Sequence, residues 1–464
     1  MLFASATFLY YFLPAFLLAY YLTPRTWRSF TLAFASYVFY GWWRPDFLIL
    51  MAISTIVDFS AGARIHAARG RGERGKRWLL LSVCCNLGLL AYFKYANFGI
   101  ETLNELLVSM GSQPMQWTRV ILPVGISFYT FQTLSYTVDV YRGTTPPVGR
   151  FRDFMCYVAM FPQLVAGPIV RYNTVADQLA TRTHTLGKFF QGVLAFQAGF
   201  AKKVLIADVL GSMADDVFSA HAVTTGDAWL GSLAYTFQIY FDFSGYSDMA
   251  IGLGLMIGFR LPVNFDQPYR SRSITEFWQR WHISLSTFLR DYLYLPLGGN
   301  RRGAMRTYVN LATVMLLGGL WHGAAWTFLA WGAYQGFWLI LERAAGKRPL
   351  YARTPRAAQL ALTFVIAIFG WVLFRAKGMN SAGRIMASML GVAPDDVAPM
   401  GFLLRPIHLV AFGAAALIVW GLPTTQRLIR DPPLWWTVAL QMFFPLALVH
   451  MHHEQNVPFL YFQF

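Results

Sequence analysis

Two histidines are the residues whose type and surroundings best suit catalysis. His322 lies in the run LLGGLWHGAAWTFLAWG, and no charged residue occurs between Leu311 and Leu341. An ionisable group in so apolar a segment is costly and marks a functional position. A neutral imidazole can take a proton from a hydroxyl that attacks an acyl carbonyl, and burial favours the neutral form. The alternative is a structural histidine that forms one hydrogen bond between helices.

His282 lies forty residues earlier, in the more polar stretch FWQRWHISLSTFLRDY. Two interpretations stay open for it. It is either a catalytic or substrate-positioning residue, or a structural histidine that hydrogen-bonds to a neighbour such as Gln279 or Ser286.

The segment that carries His282 is predicted to be an amphipathic helix. Ser273 and Glu276 form an S-x-x-E capping box, so the helix should begin near Ile274 and end by Pro296. We expect it to lie at a membrane surface or against the bundle. The apolar face of this helix repeats at Phe277, Trp281, Leu285, Phe288 and Tyr292.

Weaker candidates lie in the run YFDFSGYSDMAIGLG at 240–254. Asp242 and Asp248 could orient a histidine or the substrate, or could form hydrogen bonds between helices. Trp321 could line a substrate channel beside His322 or simply fill space there. Histidines also cluster at 450, 452 and 453, but no partner ligands occur at the spacing of a standard metal site. The sequence therefore predicts no metal and no bound cofactor.

Composition places these candidates in a membrane. Hydrophobic residues make up 56% of the chain and charged residues 13%, whereas soluble domains carry roughly 25% charged residues. The net charge of +16 is spread over short clusters between apolar runs, of which 64–77 is the densest. This pattern is typical of cytoplasmic loops rather than of a nucleic-acid-binding domain.

The predicted fold is an all-α polytopic membrane protein, formed by a single domain over residues 1–464. We expect 10 to 12 crossings, at about 20 residues each. At least one of the segments 120–140 and 154–171 should be re-entrant, because FPQLVAGPIV in the second breaks an apolar run with Pro and Gly. The clear crossing candidates are 2–22, 30–62 (one or two passes, with a turn at 43–46), 78–97, 187–210, 229–258, 308–341, 357–374, 406–422 and 434–450.

Several longer motifs resemble the membrane-bound O-acyltransferase (MBOAT) family, in its bacterial polysaccharide-modifying branch. The likeness covers most of the chain. The motifs are LWHGAAW around His322, FWQRWHISLSTFLRDYLYLPLGGNR around His282, ILPVGISFYTFQTLSYTVDVYRG at 121–143, FPQLVAGPIVR at 161–171 and YFDFSGYSDMAIGLG at 240–254.

The resemblance implies a function. His322 corresponds to the essential membrane histidine of the family and His282 to its second active-site position. The expected reaction is O-acetylation of an exopolysaccharide, with alginate favoured. The acetyl group would come from a cytoplasmic thioester such as acetyl-CoA and cross the bacterial inner membrane. A separate periplasmic Ser-dependent transferase would be the partner.

Two other classes of function remain open at this point. A transporter or flippase without covalent chemistry would also use intramembrane His and Asp residues. A membrane scaffold for polysaccharide export would tolerate changes at both histidines. Lys202, Lys203, Arg301 and Arg302 could meet the phosphates of an anionic donor or simply orient loops. The residues predicted to contact substrate, besides the two histidines, are Trp281, Trp321, Asp242, Asp248 and Asn300.

Overall fold

The computed structural model describes residues 1–165, 167–346, 348–392, 397–402, 405–453 and 459–460. These residues form helices and connecting turns, with no strand in the described ranges. The α-helices are α1 (Leu13–Leu22), α2 (Arg28–Gly41), α3 (Phe47–Gly70), α4 (Lys76–Ser109), α5 (Ile126–Arg142), α6 (Phe151–Ala159), α7 (Phe161–Leu164), α8 (Tyr172–Ala180), α9 (Leu186–Lys202), α10 (Asp208–Ser219), α11 (Thr225–Met256), α12 (Ile274–Arg280), α13 (Ile283–Leu289), α14 (Gly303–His322), α15 (Trp326–Ala344), α16 (Arg356–Arg375), α17 (Met379–Met389), α18 (Pro406–Ala416), α19 (Thr425–Arg430) and α20 (Leu434–His453).

Shorter helical segments of other types join or extend these helices. Three-residue 3₁₀ segments occur at Arg25–Trp27 and Pro268–Arg270. Wider π-helical segments occur at Thr7–Phe12, Lys203–Ala207, Arg290–Tyr294 and Leu417–Gly421.

Within the described ranges, four helices are long and apolar enough to cross a membrane, namely α3, α4, α16 and α20. The segments Thr7–Leu22 and Pro406–Gly421 are shorter apolar helices of the same character. The predicted all-α polytopic membrane fold is thus confirmed. The number of crossings, 10 to 12, stays a prediction.

The span predicted at 30–62 is two helices. α2 ends at Gly41 and α3 begins at Phe47, so the predicted turn at Trp43–Asp46 is confirmed. Pro45 lies in this turn, where a missing backbone N–H does no harm to a helix. In the turn, Arg44 forms an ion pair of 2.6 Å with Asp46.

The stretch 154–171 is broken, as its prolines and glycine predict. α6 ends at Ala159, α7 covers only Phe161–Leu164, and α8 begins at Tyr172. Ala166, within the FPQLVAGPIV motif, lies outside the described residues. The re-entrant placement of this stretch stays a prediction.

The chain divides into two compact units. The first comprises 1–192 with 253–262, and the second comprises 193–252 with 263–464. Both histidines belong to the second unit. The assignment of one MBOAT domain to the whole chain stays a prediction.

A buried carboxylate ties the helices of the first unit together. Asp58 on α3 is fully buried. Its carboxylate accepts hydrogen bonds from Ser82 Oγ at 2.6 Å and from Asn86 Nδ2 at 2.9 Å, both on α4. Ser82 Oγ also lies 3.0 Å from Thr137 Oγ1 on α5. Buried polar groups are stable when they are hydrogen-bonded in this way, so the network fixes the register of three helices.

The run 308–341, predicted as one span, lies in the second unit. The prediction of a single continuous helix there is wrong. α14 ends at His322 and α15 begins at Trp326, so the run forms a helical hairpin. The two helices touch backbone to backbone: a methyl group built on Gly319 would overlap the Phe328 carbonyl oxygen, and one built on Gly332 would overlap that of Met315. Small residues permit such close approach between apolar helices.

A tether fixes α12 against this hairpin. Glu342, near the end of α15, is buried. Its carboxylate accepts hydrogen bonds from the backbone N–H groups of Ile274 at 2.7 Å and Thr275 at 2.9 Å. The first N–H groups of a helix lack partners within it and favour negative charge. The carboxylate therefore satisfies the start of α12 and joins it to α15.

We expect Gly332→Ala to destabilise the protein, because the added methyl group has no room beside the Met315 carbonyl. The gain in helix propensity, about 1 kcal/mol, should not offset this overlap. The matched control is Gly413→Ala on α18, where an added methyl group meets nothing within 4 Å. Thermal unfolding in detergent should show a lower midpoint for Gly332→Ala alone. Equal midpoints for the two variants would contradict the close packing of α14 and α15.

Candidate active site

His282 stands at a sharp break in the polar segment. The helix predicted from Ile274 onward ends at Arg280 and resumes at Ile283. His282 adopts φ 41 and ψ 57, in the left-handed region. A non-glycine residue in this region is uncommon, and such residues concentrate at functional sites. The prediction of one continuous amphipathic helix is therefore wrong.

The predicted start of the segment and its apolar face are confirmed. Ser273 Oγ accepts a hydrogen bond of 3.0 Å from the backbone N–H of Glu276, as the capping box requires. The side chains of the predicted apolar face that are buried are Phe277, Trp281, Leu285 and Phe288.

Asn264, which precedes α12 in the chain, holds the turn at His282 by hydrogen bonds. Its backbone carbonyl accepts a hydrogen bond of 2.9 Å from Ile283 N. Its Oδ1 accepts one of 2.6 Å from Ser284 Oγ and one of 3.3 Å from Ser284 N. One buried residue thus fixes the two positions that follow His282. The sequence reasoning missed Asn264, because its partners lie about twenty residues further along the chain.

The imidazole of His282 is fully buried, and within the described residues neither ring nitrogen has a hydrogen-bond partner. The interpretation of a structural histidine bonded to Gln279 or Ser286 is therefore wrong. Ser286 Oγ instead donates to the Trp281 carbonyl at 3.2 Å. Buried polar groups are rarely left without partners, so this ring is suited to a ligand that supplies them.

His322 is the last residue of α14, next to the break that forms the hairpin. The ring is 4% exposed. It packs edge to face against Trp331 and Phe374, each with ring centroids 5.2 Å away. Gly323 follows it, and a methyl group there would overlap the ring of Phe328. The glycine thus lets the hairpin close tightly around the histidine.

The two histidines come together although they lie on different helices. Their ring centroids are 6.4 Å apart, with the ring planes at 54°. Each ring nitrogen lies on the rim of its ring, so two hydrogen bonds of about 2.9 Å that start from the nitrogens can span this separation. One small group that carries oxygen can therefore contact both rings. Phe243 of α11 lies edge-on to His282 at 4.6 Å, and its ring covers one side of the site.

The two predicted tryptophans differ in position. Trp321 lies beside both histidines, with its ring 4.9 Å from His322 and 6.0 Å from His282. Trp281 instead packs into the aromatic core, 4.7 Å from Trp371 and 5.0 Å from Phe265. The geometry therefore supports a substrate contact for Trp321 and gives Trp281 a packing role.

The predicted carboxylates form ion pairs between helices. Asp248 accepts hydrogen bonds of 2.7 Å from Lys202 on α9 and 2.5 Å from Gln426 on α19. Asp242 lies 3.0 Å from Lys203, which also pairs with Asp208. Of the two roles considered for these carboxylates, the structure favours links between helices. Lys202 and Lys203 are both neutralised by these buried ion pairs. The structure therefore does not support them as contacts for the phosphates of an acyl donor.

Asn300 is exposed in the loop before α14 and is not brought to the histidines. The preceding Gly299 carbonyl accepts a hydrogen bond of 2.9 Å from Asn310 Nδ2. Asn310 lies twelve residues before His322 on the same helix, which corresponds to about 18 Å at 1.5 Å per residue. The prediction of Asn300 as a substrate contact therefore receives no support.

The arrangement suits acyl transfer between a hydroxyl and a carbonyl. A neutral imidazole offers one donor and one acceptor nitrogen, so two such rings can serve a hydroxyl and a carbonyl oxygen together. Among the described residues, no group of three or more His, Cys, Asp or Glu side chains is placed to hold a metal ion.

Comparison with known proteins gives the family. The model of the membrane-bound O-acyltransferase family matches residues 150–383. A probable alginate O-acetylase of Pseudomonas aeruginosa is 54% identical over 84% of this chain and 75% of its own length. One from Pseudomonas putida is 47% identical over 100% of both chains. A peptidoglycan O-acetyltransferase of Helicobacter pylori is 36% identical over 84% of this chain and 80% of its own.

The fold and the site define a helical membrane protein with two buried histidines in contact range of one small group. The chain belongs to the membrane-bound O-acyltransferase family. It is an enzyme of the O-acetyltransferase type, as its relatives at about half identity are. The resemblance noted from the motifs is thereby confirmed.

We expect Asn264→Ala to lower acetyl transfer strongly, because the turn at His282 loses the acceptor for Ser284. The loss of these bonds should also cost about 1–3 kcal/mol of stability. The readouts are kcat, KM and the thermal midpoint of the purified enzyme. We expect the effect to appear mainly in kcat, since the variant disturbs the position of His282.

The matched control for this experiment is Asn310→Ala. Asn310 is also a buried asparagine, but it holds the loop before α14 through Gly299. The Asn310→Ala variant should lose a similar amount of stability but keep kcat within a few-fold of the wild-type value. Equal losses of kcat in the two variants would assign Asn264 to general stability and not to positioning.

We expect Lys202→Met to destabilise the second unit by about 3–5 kcal/mol, because it leaves the Asp248 carboxylate buried without its cation. Adding Asp248→Asn should restore much of this loss, since the neutral amide keeps a hydrogen-bonding group beside Gln426. Thermal unfolding of both variants measures the effect. If the double variant is less stable than Lys202→Met, the assignment of a charge-neutralising pair is wrong.

Proposed function

We propose that the enzyme moves an acetyl group from a cytoplasmic thioester to an acceptor hydroxyl, for O-acetylation of an exopolysaccharide outside the inner membrane. Alginate is the polymer we propose, because the relatives from two Pseudomonas species are named as probable alginate O-acetylases. Acetyl-CoA is the proposed donor. The proposed partner is a periplasmic Ser-dependent transferase that completes the modification of the polymer.

The observation that carries this proposal is the histidine pair. His282 presents two buried ring nitrogens without partners in the described residues, and its centroid lies 6.4 Å from that of His322. Transfer of an acyl group needs a base for the hydroxyl and a donor for the carbonyl oxygen. Two neutral imidazoles in one enclosed site supply both functions.

The proposed reaction proceeds through a tetrahedral intermediate. The acceptor oxygen attacks the thioester carbonyl carbon while one histidine takes the hydroxyl proton. The other histidine donates a hydrogen bond to the carbonyl oxygen as negative charge develops there. The C–S bond then breaks, and the proton passes from the first histidine to the leaving thiolate. The products are an acetyl ester and a free thiol, with both histidines again neutral.

The aromatic walls contribute by excluding water. The rings of Phe243, Trp331 and Phe374 pack edge-on against the two imidazoles. In such a dry site the hydrogen bond to the developing oxyanion is stronger than in water. Exclusion of water also suppresses hydrolysis of the thioester.

We expect His282→Ala and His322→Ala each to lower acetyl transfer by about 10²-fold or more, the usual scale of general acid–base catalysis. The assay uses purified protein in nanodiscs with radiolabelled acetyl-CoA, the polymer and the periplasmic partner. The control is His408→Ala, since His408 is also buried but lies on α18, beside Phe402. This control should transfer acetyl groups normally.

Glutamine variants separate the two roles. Glutamine keeps a hydrogen-bond donor but cannot act as a base at neutral pH. We therefore expect residual transfer for Gln at the histidine that polarises the carbonyl, and none for Gln at the base. Normal transfer by both alanine variants would overturn the two-histidine mechanism. Absence of thioester cleavage by the wild type with every acceptor offered would overturn acetyl-CoA as the donor.

A further inference from the structure

The second unit contains a large apolar cavity that the acyl-transfer chemistry does not use. Its volume is about 520 Å³. Neither active-site histidine lines it. The walls come from α9, α11, α18, α20 and the π-helical segments Lys203–Ala207 and Leu417–Gly421. The lining side chains include Leu205, Val410, Leu417, Ala439, Leu440 and Leu446.

One face of α11 supplies the polar part of this cavity. Tyr240, Ser244 and Asp248 line it and follow one another at i, i+4 spacing. Phe243, the neighbour of Ser244, instead points to His282 on another face of the helix. α11 therefore forms a wall between the cavity and the active site.

Ser244 and Trp436 line the cavity and carry hydrogen-bond donors without partners among the described residues. Ser244 is 3% exposed, and its hydroxyl has no hydrogen-bond partner among the described residues. Trp436 on α20 also lines the cavity, and its indole N–H is buried without such a partner. Buried donors of this kind indicate a bound acceptor that they contact.

The charges at the cavity cancel. Lys202 and Asp248 both line it, and they pair with each other at 2.7 Å. Lys202 Nζ also donates to Thr425 Oγ1 at 2.6 Å. The rest of the lining is mainly apolar, so the cavity favours an uncharged hydrocarbon ligand that carries a hydrogen-bond acceptor.

The volume indicates the size of this ligand. An apolar cavity of about 150 Å³ accommodates one benzene, which has six carbons. The cavity of about 520 Å³ is between three and four times larger, which corresponds to roughly 20 carbons on that scale. This is the size of one acyl chain of a membrane lipid.

We propose that this cavity binds one esterified acyl chain of a bilayer phospholipid, whose ester carbonyl accepts hydrogen bonds from Ser244 and Trp436. The bilayer surrounds the protein and offers such chains at high concentration. The headgroup stays outside the cavity. The site is separate from the acetyl-transfer reaction, so it stands or falls independently of the proposed function.

The test measures lipid that stays bound to the whole protein. The wild type, Ala439→Phe and Val438→Phe are purified in a maltoside detergent, which contains no acyl ester, and washed extensively. Native mass spectrometry and lipid extraction then identify the retained lipid. Ala439 lines the cavity, whereas its neighbour Val438 is 50% exposed on the same helix and lies outside the lining.

We expect one phospholipid per wild-type protein and per Val438→Phe protein, and loss of it in Ala439→Phe. Ser244→Ala provides a second measurement that leaves the cavity open. It should weaken retention about five-fold, the effect of one lost hydrogen bond.

Three outcomes would overturn the proposal. Equal phospholipid in the wild type and Ala439→Phe would place the lipid elsewhere. Retention of free fatty acid or detergent alone would exclude an esterified chain. Unchanged retention in Ser244→Ala would show that the ester carbonyl does not accept a hydrogen bond from the Ser244 hydroxyl.

Discussion

The backbone turn at His282, which Asn264 holds by hydrogen bonds, is the interaction on which the candidate active site depends. From this turn a continuous set of contacts leads to the second histidine. α12 ends at the turn and is tethered at its start to Glu342 of α15. α15 packs backbone to backbone on α14, and α14 ends at His322. The separation of the two imidazoles is therefore set by buried hydrogen bonds and glycine contacts rather than by any direct bond between them.

Much of this could be predicted from the sequence, because burial in a membrane leaves a clear pattern. Long apolar runs mark the helices, the Ser273 capping box marks the start of α12, and the apolar surroundings of His322 mark it as a candidate. The breaks at 281–282 and 323–325 could not be predicted. Helical spacing of apolar residues continues across the first, and the second contains no proline. Both breaks are imposed by tertiary contacts.

For the side chains around the site, prediction from the sequence is limited in the same way by tertiary contacts. Asp242 and Asp248 look like site residues in the sequence because charges are rare in the run around them. Their partners, Lys203 and Lys202, lie on a neighbouring segment about forty residues earlier. Only the packing of that segment against α11 decides whether the carboxylates face a substrate or a lysine. Asn264 could not be found for the same reason, since a lone asparagine in a polar stretch carries no periodic signal.

α11 separates the candidate active site from the apolar cavity, because its faces contact different side chains. Phe243 presses on His282 from one face. The stripe that contains Ser244 faces the apolar cavity, and Phe265 lines that cavity while packing 5.0 Å from both Phe243 and Trp281. An empty cavity behind this wall would leave its side chains without packing partners and so forfeit dispersion contacts. A hydrocarbon chain in the cavity would restore those contacts to Phe265, which packs against Trp281 beside the turn that carries His282.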